Sequence, residues 1–100
     1  MSKFVMDACA LLAFINDEIG ADKVEEMLEK AQNGEIEIYM NIVNLLEIYY
    51  GIYREEGSHK ADETYQLILK QAIYINDKLG ENVFKEAGRL KAKYKISLSL

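Results

Sequence analysis

Short β-prone apolar runs in this chain keep giving way to longer stretches whose apolar residues return every three or four positions, and few folds suit such a pattern. Phe4-Val5-Met6 reads as a buried strand that feeds a helix over Ala8 to Ile15, a stretch rich in helix formers. After the break at Asn16 to Gly20, Val24, Met27, Leu28 and Ala31 recur at helical spacing, so a second helix is predicted over about Ala21 to Gln32, ended by Asn33-Gly34. Ile36, Ile38 and Met40 then alternate with Glu37 and Tyr39, which is the period of a strand. Leu45, Ile48, Tyr49, Ile52 and Tyr53 restore the helical period. Gly57-Ser58-His59 punctuates before the stripe Tyr65, Ile68, Leu69 and Ala72, and Ile73-Tyr74-Ile75 reads as a strand. Val83, Ala87, Leu90 and Tyr94 line a last helix from about Glu81 to Tyr94. With strands alternating with helices, the expectation is an α/β fold: a central parallel sheet flanked by helices. No proline is present to kink any of the helices.

The chain has 100 residues, half of them apolar. That suits a single domain, residues 1–100, with a core that needs neither disulfide nor structural metal. Cys9 is the one cysteine, so no disulfide framework or Cys-rich zinc site forms within the chain, and a reducing cytoplasm fits. The apolar runs fall far short of the roughly 20 residues a membrane span needs, and no basic segment followed by an apolar stretch opens the sequence, so no membrane association is expected. A net charge of −5 argues against capture of nucleic acid by the surface as a whole. A local basic face remains open. Lys85, Arg89 and Lys93 follow one another at four-residue spacing, opposite the apolar stripe of the last helix, and suit either an RNA backbone or plain solvation.

Two acids stand out by position. Asp7 ends the first strand, at the carboxyl edge where open parallel sheets gather their ligands. It is equally a favoured N-cap for the helix that begins at Ala8. Glu47 is embedded in the apolar run Ile42 to Ile48 near the start of the helix after the second strand, and a carboxylate in such surroundings needs a partner. Its helical neighbours are Tyr50, Gly51 and Arg54, so it either reaches the crevice at the strand ends or pairs loosely with Arg54, a further candidate RNA contact. Together the two acids suit a divalent cation that prefers carboxylate oxygen and keeps several waters. His59 reads as a solvated loop residue and Cys9 as a small buried one. Tyr49, Tyr50 and Tyr53 form a stripe typical of core or dimer contacts.

Three segments also carry a resemblance. Val5-Met6-Asp7-Ala8-Cys9-Ala10-Leu11-Leu12-Ala13 is similar to the opening motif of PIN domains of the VapC toxin type, and Asn41 to Gly51 resembles their second motif, whose Glu is the second acid. Glu86 to Leu98 looks like the segment that introduces the third. The resemblance implies a cytoplasmic Mg²⁺- or Mn²⁺-dependent endoribonuclease with a three-layer PIN fold. Asp7 and Glu47 would be its catalytic, metal-coordinating acids, RNA its substrate and a cognate antitoxin protein its inhibitor. Two departures accompany it. Asn41 stands where the family often has a hydroxyl residue, and its amide still hydrogen-bonds. The family's remaining acids, with a last strand-helix-strand portion, follow the Ile-Ser-Leu element, whereas this sequence ends Ser97-Leu98-Ser99-Leu100, and Asp77, Glu81 and Glu86 do not match them. A truncated chain of this kind implies weak or no cleavage, or a non-catalytic remnant acting through protein contacts. The family's strand order, 3-2-1-4-5, would then leave strand one an edge, which favours a homodimer or a domain-swapped oligomer unless Ile96, Leu98 and Leu100 fold back onto it.

Overall fold

The computed structural model describes residues 1–78 and 80–94. Its elements follow the order β1 (Ser2–Val5), α1 (Ala8–Ile15), α2 (Ala21–Gln32), β2 (Ile36–Asn41), α3 (Ile42–Glu56), α4 (Ser58–Leu69), β3 (Ile73–Asn76) and α5 (Glu81–Tyr94). All three strands are parallel and lie in the order β1-β2-β3. Ser2 pairs with Ile36 and Val5 with Tyr39, while Ile38 pairs with Ile73 and Asn41 with Asn76. The α/β class and the parallel sheet are as the sequence pattern implies.

Both connections step across the sheet in the same direction, and crossovers between parallel strands are right-handed, so α1 to α4 come to lie over one face. The core confirms it. Ile38 and Met40, the inward residues of β2, are buried in one cluster with Leu11 of α1, Val24 and Leu28 of α2, Leu45, Ile48 and Ile52 of α3, and Ala61 and Ile68 of α4. The alternate residues of β2 point the other way, where Tyr39 stacks on Tyr74 at 5.2 Å between ring centroids. A smaller apolar contact joins Val43 of α3 to Leu90 of α5, with Ile42, Leu46 and Ala87 around it. The side chains of Val83 and Tyr94, and Ile96, Leu98 and Leu100, lie outside the described residues.

Two expectations are corrected. Phe4-Val5-Met6 is not a buried strand: β1 covers Ser2–Val5 and all four residues are exposed, Val5 at 81%, while Met6 just beyond it is buried. The reason is that β2 alone among the described strands lies beside β1. Nor do residues 57–59 make a loop. α3 ends and α4 begins at Gly57 alone, whose φ of 92° and extended ψ of 173° suit a residue without a Cβ.

The α3–α4 pair that this tight turn creates is clipped by a side-chain bond. Tyr49 donates its hydroxyl to Asp62 Oδ1 at 2.6 Å, and its ring lies against Tyr53 and Tyr65. The hydrogen bond to Asp62, assisted by burial and by the carboxylate's charge, holds the Tyr49 hydroxyl above its ordinary pKa, and Glu37 does the same for Tyr39. A raised pKa in the folded state means that the unfolded chain loses this proton first. The bond's contribution to stability is therefore complete below about pH 10 and is lost as the pH rises through the folded-state value. An ultraviolet titration of the folded protein should show a late-ionising subset of tyrosines, and Asp62→Ala should return one member of that subset to the ordinary range. An identical titration curve for Asp62→Ala would refute this account.

Candidate active site

In a parallel sheet the carboxyl ends of all strands share one edge, and a polar residue ends or follows each strand there. The Val5–Tyr39–Tyr74 row is the last that β1 shares with its neighbours. The next backbone group, Met6 N–H, still donates to Tyr39 O at 2.8 Å. Continuing that register brings Asp7 level with Asn41 and Asn76, which pair with each other. Each begins or shapes the turn that follows its strand. Asp7 caps α1, its Oδ1 accepting from Ala10 N–H at 2.8 Å; Asn41 caps α3, its Oδ1 accepting from Val43 N–H at 2.8 Å; Asn76 Oδ1 accepts from Lys78 N–H at 3.2 Å. Asp7 thus does perform the capping that its position suggests. It remains exposed, and a carboxylate with one cap bond keeps most of its acceptor capacity. Asn41 accepts the bond that a hydroxyl residue would accept there. Asn76 is a member of this row that periodicity alone does not single out.

Glu47 lies in the second turn of α3, the helix that follows β2, and is buried, with its side chain 8% exposed. Two of its partners come from α5. Lys93 Nζ donates to Glu47 Oε1 at 3.0 Å, and Arg89 Nη2 stands 3.7 Å from Oε2. Loose pairing with Arg54, one of the two alternatives the sequence leaves for Glu47, is not among these contacts: Arg54 lies in the last turn of α3 and is exposed. The geometry follows from two helical stripes. Val43 and Glu47 are four apart on α3, and Leu90 and Lys93 three apart on α5, so the apolar Val43–Leu90 contact continues one turn later as the ion pair.

The basic stripe of α5 is accordingly not a free face. Lys85 pairs with Glu81 at 3.0 Å, and Arg89 bridges from Glu47 to Glu86, where its Nη2 and Nε reach Oε2 at 2.9 and 3.2 Å. Arg89 and Lys93 nevertheless keep half of their side-chain surface in solvent, directly above the buried carboxylate. His59 is 97% exposed and 3.9 Å from Glu63, a solvated position as expected. Cys9, expected to be buried, is exposed on α1, because Ala8 and Leu11 are the residues that turn inward there.

Asp7 and Glu47 are hard oxygen donors, the chemistry a Mg²⁺ or Mn²⁺ ion takes, so these are the residues that would hold one. Such an ion supplies Lewis-acid stabilisation of charge on a phosphate and a more acidic water. Two carboxylates are a sparse set. Among the described residues no group of three or more His, Cys, Asp or Glu side chains converges to hold a metal. An open cavity of about 310 Å³ sits elsewhere, at the amino ends of β2 and β3, lined by Met1, Ile36, Glu37 and Ile73 among others. It is the wrong edge for the ligands of a parallel sheet, and Glu37 is already bonded to Tyr39 at 2.5 Å. No helix among the described residues is long and apolar enough to cross a membrane.

In comparison with known families, the model described as PIN domain matches residues 4–100. No curated protein and no solved structure matches the chain. The capping bond of Asp7 has to be separated from any ligand role before activity is read. Asp7→Ala should cost about 0.5–2 kcal/mol in urea denaturation, while Asp7→Asn, an equally good cap, should leave the midpoint nearly unchanged. Equal losses in both variants would mean that Asp7 contributes through something other than its cap.

Proposed function

Because the chain belongs to the PIN domain family, whose members are in general nucleases and typically use divalent metals, we propose that it is a Mg²⁺- or Mn²⁺-dependent endoribonuclease of the VapC toxin type. The supporting observation is that its two motif acids, Asp7 and Glu47, follow β1 and β2 at the same carboxyl edge of the parallel sheet. On this reading both acids coordinate the metal, RNA is the substrate and a cognate antitoxin protein blocks the site in the cytoplasm. Arg54, Lys85, Arg89 and Lys93 supply positive charge for the RNA backbone. Two carboxylates hold a divalent cation and its attacking water less firmly than a fuller set. Purified protein incubated with labelled single-stranded RNA and Mn²⁺ should therefore show slow cleavage, abolished by Asp7→Asn and by chelation. Cleavage that survives both would refute the metal assignment, and fast Mg²⁺-dependent turnover would mean that a further residue completes the site.

A second reading has its own support. Glu47 is already neutralised from within the chain by Lys93 and Arg89, which is what a PIN domain acting only through protein contacts would show. Absence of any cleavage would favour it.

Both readings involve association. The residues of β1 are exposed, with Phe4 at 42% and Val5 at 81%, although parallel strands are ordinarily covered on both faces. We propose a homodimer or domain-swapped oligomer formed around β1, with the half-exposed Tyr53 and its neighbours Tyr49 and Tyr50 as secondary contacts. Light scattering at micromolar concentration should give at least twice the monomer mass of 11.5 kDa. A clean monomer mass would eliminate the proposal.

A further inference from the structure

Glu47 carries the one feature of the site that its proposed chemistry does not use. A divalent cation needs the oxygens of this carboxylate, yet Oε1 accepts from the Lys93 ammonium at 3.0 Å and Oε2 faces the Arg89 guanidinium at 3.7 Å. The two cations are not equivalent. Arg89 is tied more closely to Glu86, at 2.9 Å, so its hold on Glu47 is the secondary one, whereas Lys93 makes the short contact. An ammonium and a divalent cation on the same small carboxylate repel each other strongly where the carboxylate is buried and little water intervenes.

We propose that Lys93 is an internal competitor of the metal: it neutralises Glu47 while the site holds no metal, and an entering divalent cation displaces it. This rests on the metal-dependent reading of the site and adds how that site is regulated. Lys93 is suited to the exchange by place. It lies in the last turn of α5, half exposed, so its ammonium can swing into solvent without unpacking the helix. Leu90, fully buried one turn earlier against Val43, keeps α5 docked on α3 while the last turn lets go. Arg89 and Lys93, once released, would present their charge at the mouth of the site, where a phosphate arrives. By linkage the coupling is reciprocal: whatever affinity Lys93 takes from the metal, the metal takes from the Lys93–Glu47 contact.

The test is Mn²⁺ binding, read as the loss of the free-ion electron paramagnetic resonance signal, in wild type and in Lys93→Met, which keeps the length of the stem and removes the charge. Wild type should bind, and Lys93→Met should bind about 5- to 150-fold more tightly, the usual range for coupled sites. Equal or weaker binding by a folded Lys93→Met overturns the exchange and leaves the metal reading standing, since Lys93 then merely positions Glu47. No binding by either protein overturns both. Should Lys93→Met fail to fold, hydrogen exchange on wild type decides. Mn²⁺ should speed exchange in residues 90–94 and not in α3, and Glu47→Gln should abolish that response; unchanged or slower exchange in α5 overturns the proposal.

Discussion

Every hydrogen bond between strands in the described sheet involves β2, because β1 and β3 each pair with it and lie on opposite sides of it. Its inward side chains are also the ones the helices share. Ile38 is fully buried and Met40 nearly so, and residues from α1 to α4 close over them. Removing the Ile38 side chain down to Ala would thus be felt by elements far apart in sequence, at the several kcal/mol typical of a buried aliphatic. The candidate site depends on the same strand. The register of β2 sets Asn41 opposite Asn76 at the carboxyl edge and, carried on from Val5–Tyr39, level with Asp7, and a slip of β2 by one residue would turn Asn41 to the opposite face.

Against that apolar background Glu47 is the one buried charged residue among the described positions, and two of its partners come from 42 and 46 residues later in the chain. Stability alone gives no reason for it. Replacing a buried ion pair by apolar side chains of similar volume is commonly neutral or favourable, whereas removing one partner leaves the other charge stranded at a cost of about 3–5 kcal/mol. A Leu at position 47 would continue the Val43–Leu90 contact with no charge to compensate. A carboxylate there, on the helix that follows the central strand, is not what packing alone would select.

Much of this was legible from periodicity. The bounds of α2 and α5 follow directly from where the apolar spacing begins and ends, and Ile36, Ile38 and Met40 mark both β2 and its inward face. What periodicity does not contain is what lies next to an element. The run Phe4-Val5-Met6 has the composition of a buried strand, but burial depends on neighbours, and β1 has β2 on one side. Gly57 was visible as a breaker; that it would suffice alone, with α4 starting at the next residue, depends on α3 and α4 packing closely enough for Tyr49 to reach Asp62. Cys9 is exposed for the same reason that Ala8 and Leu11 are buried: on an eight-residue helix the inward stripe is narrow, and position 9 falls outside it.

The candidate site was legible in part, and the division is physical. Asp7 and Glu47 could be picked out because an acid at a strand end and an acid inside an apolar run are both anomalies of local sequence. Their partners could not. Arg89 and Lys93 look from spacing alone like one stripe on a solvated helix, and four-residue spacing does place them on one face. Whether that face meets solvent, RNA or a buried carboxylate is decided by how α5 docks on α3, and the docking is set by Val43 and Leu90, two ordinary apolar residues far apart in the chain. Once that contact is made, the helical repeat leaves little choice: the next turn of α3 presents Glu47 and the next turn of α5 presents Lys93. The pairing that neutralises the site is thus a by-product of hydrophobic docking one turn away. On the metal-dependent reading proposed above, a cation reaching Glu47 would compete with a charge that the fold itself has delivered there.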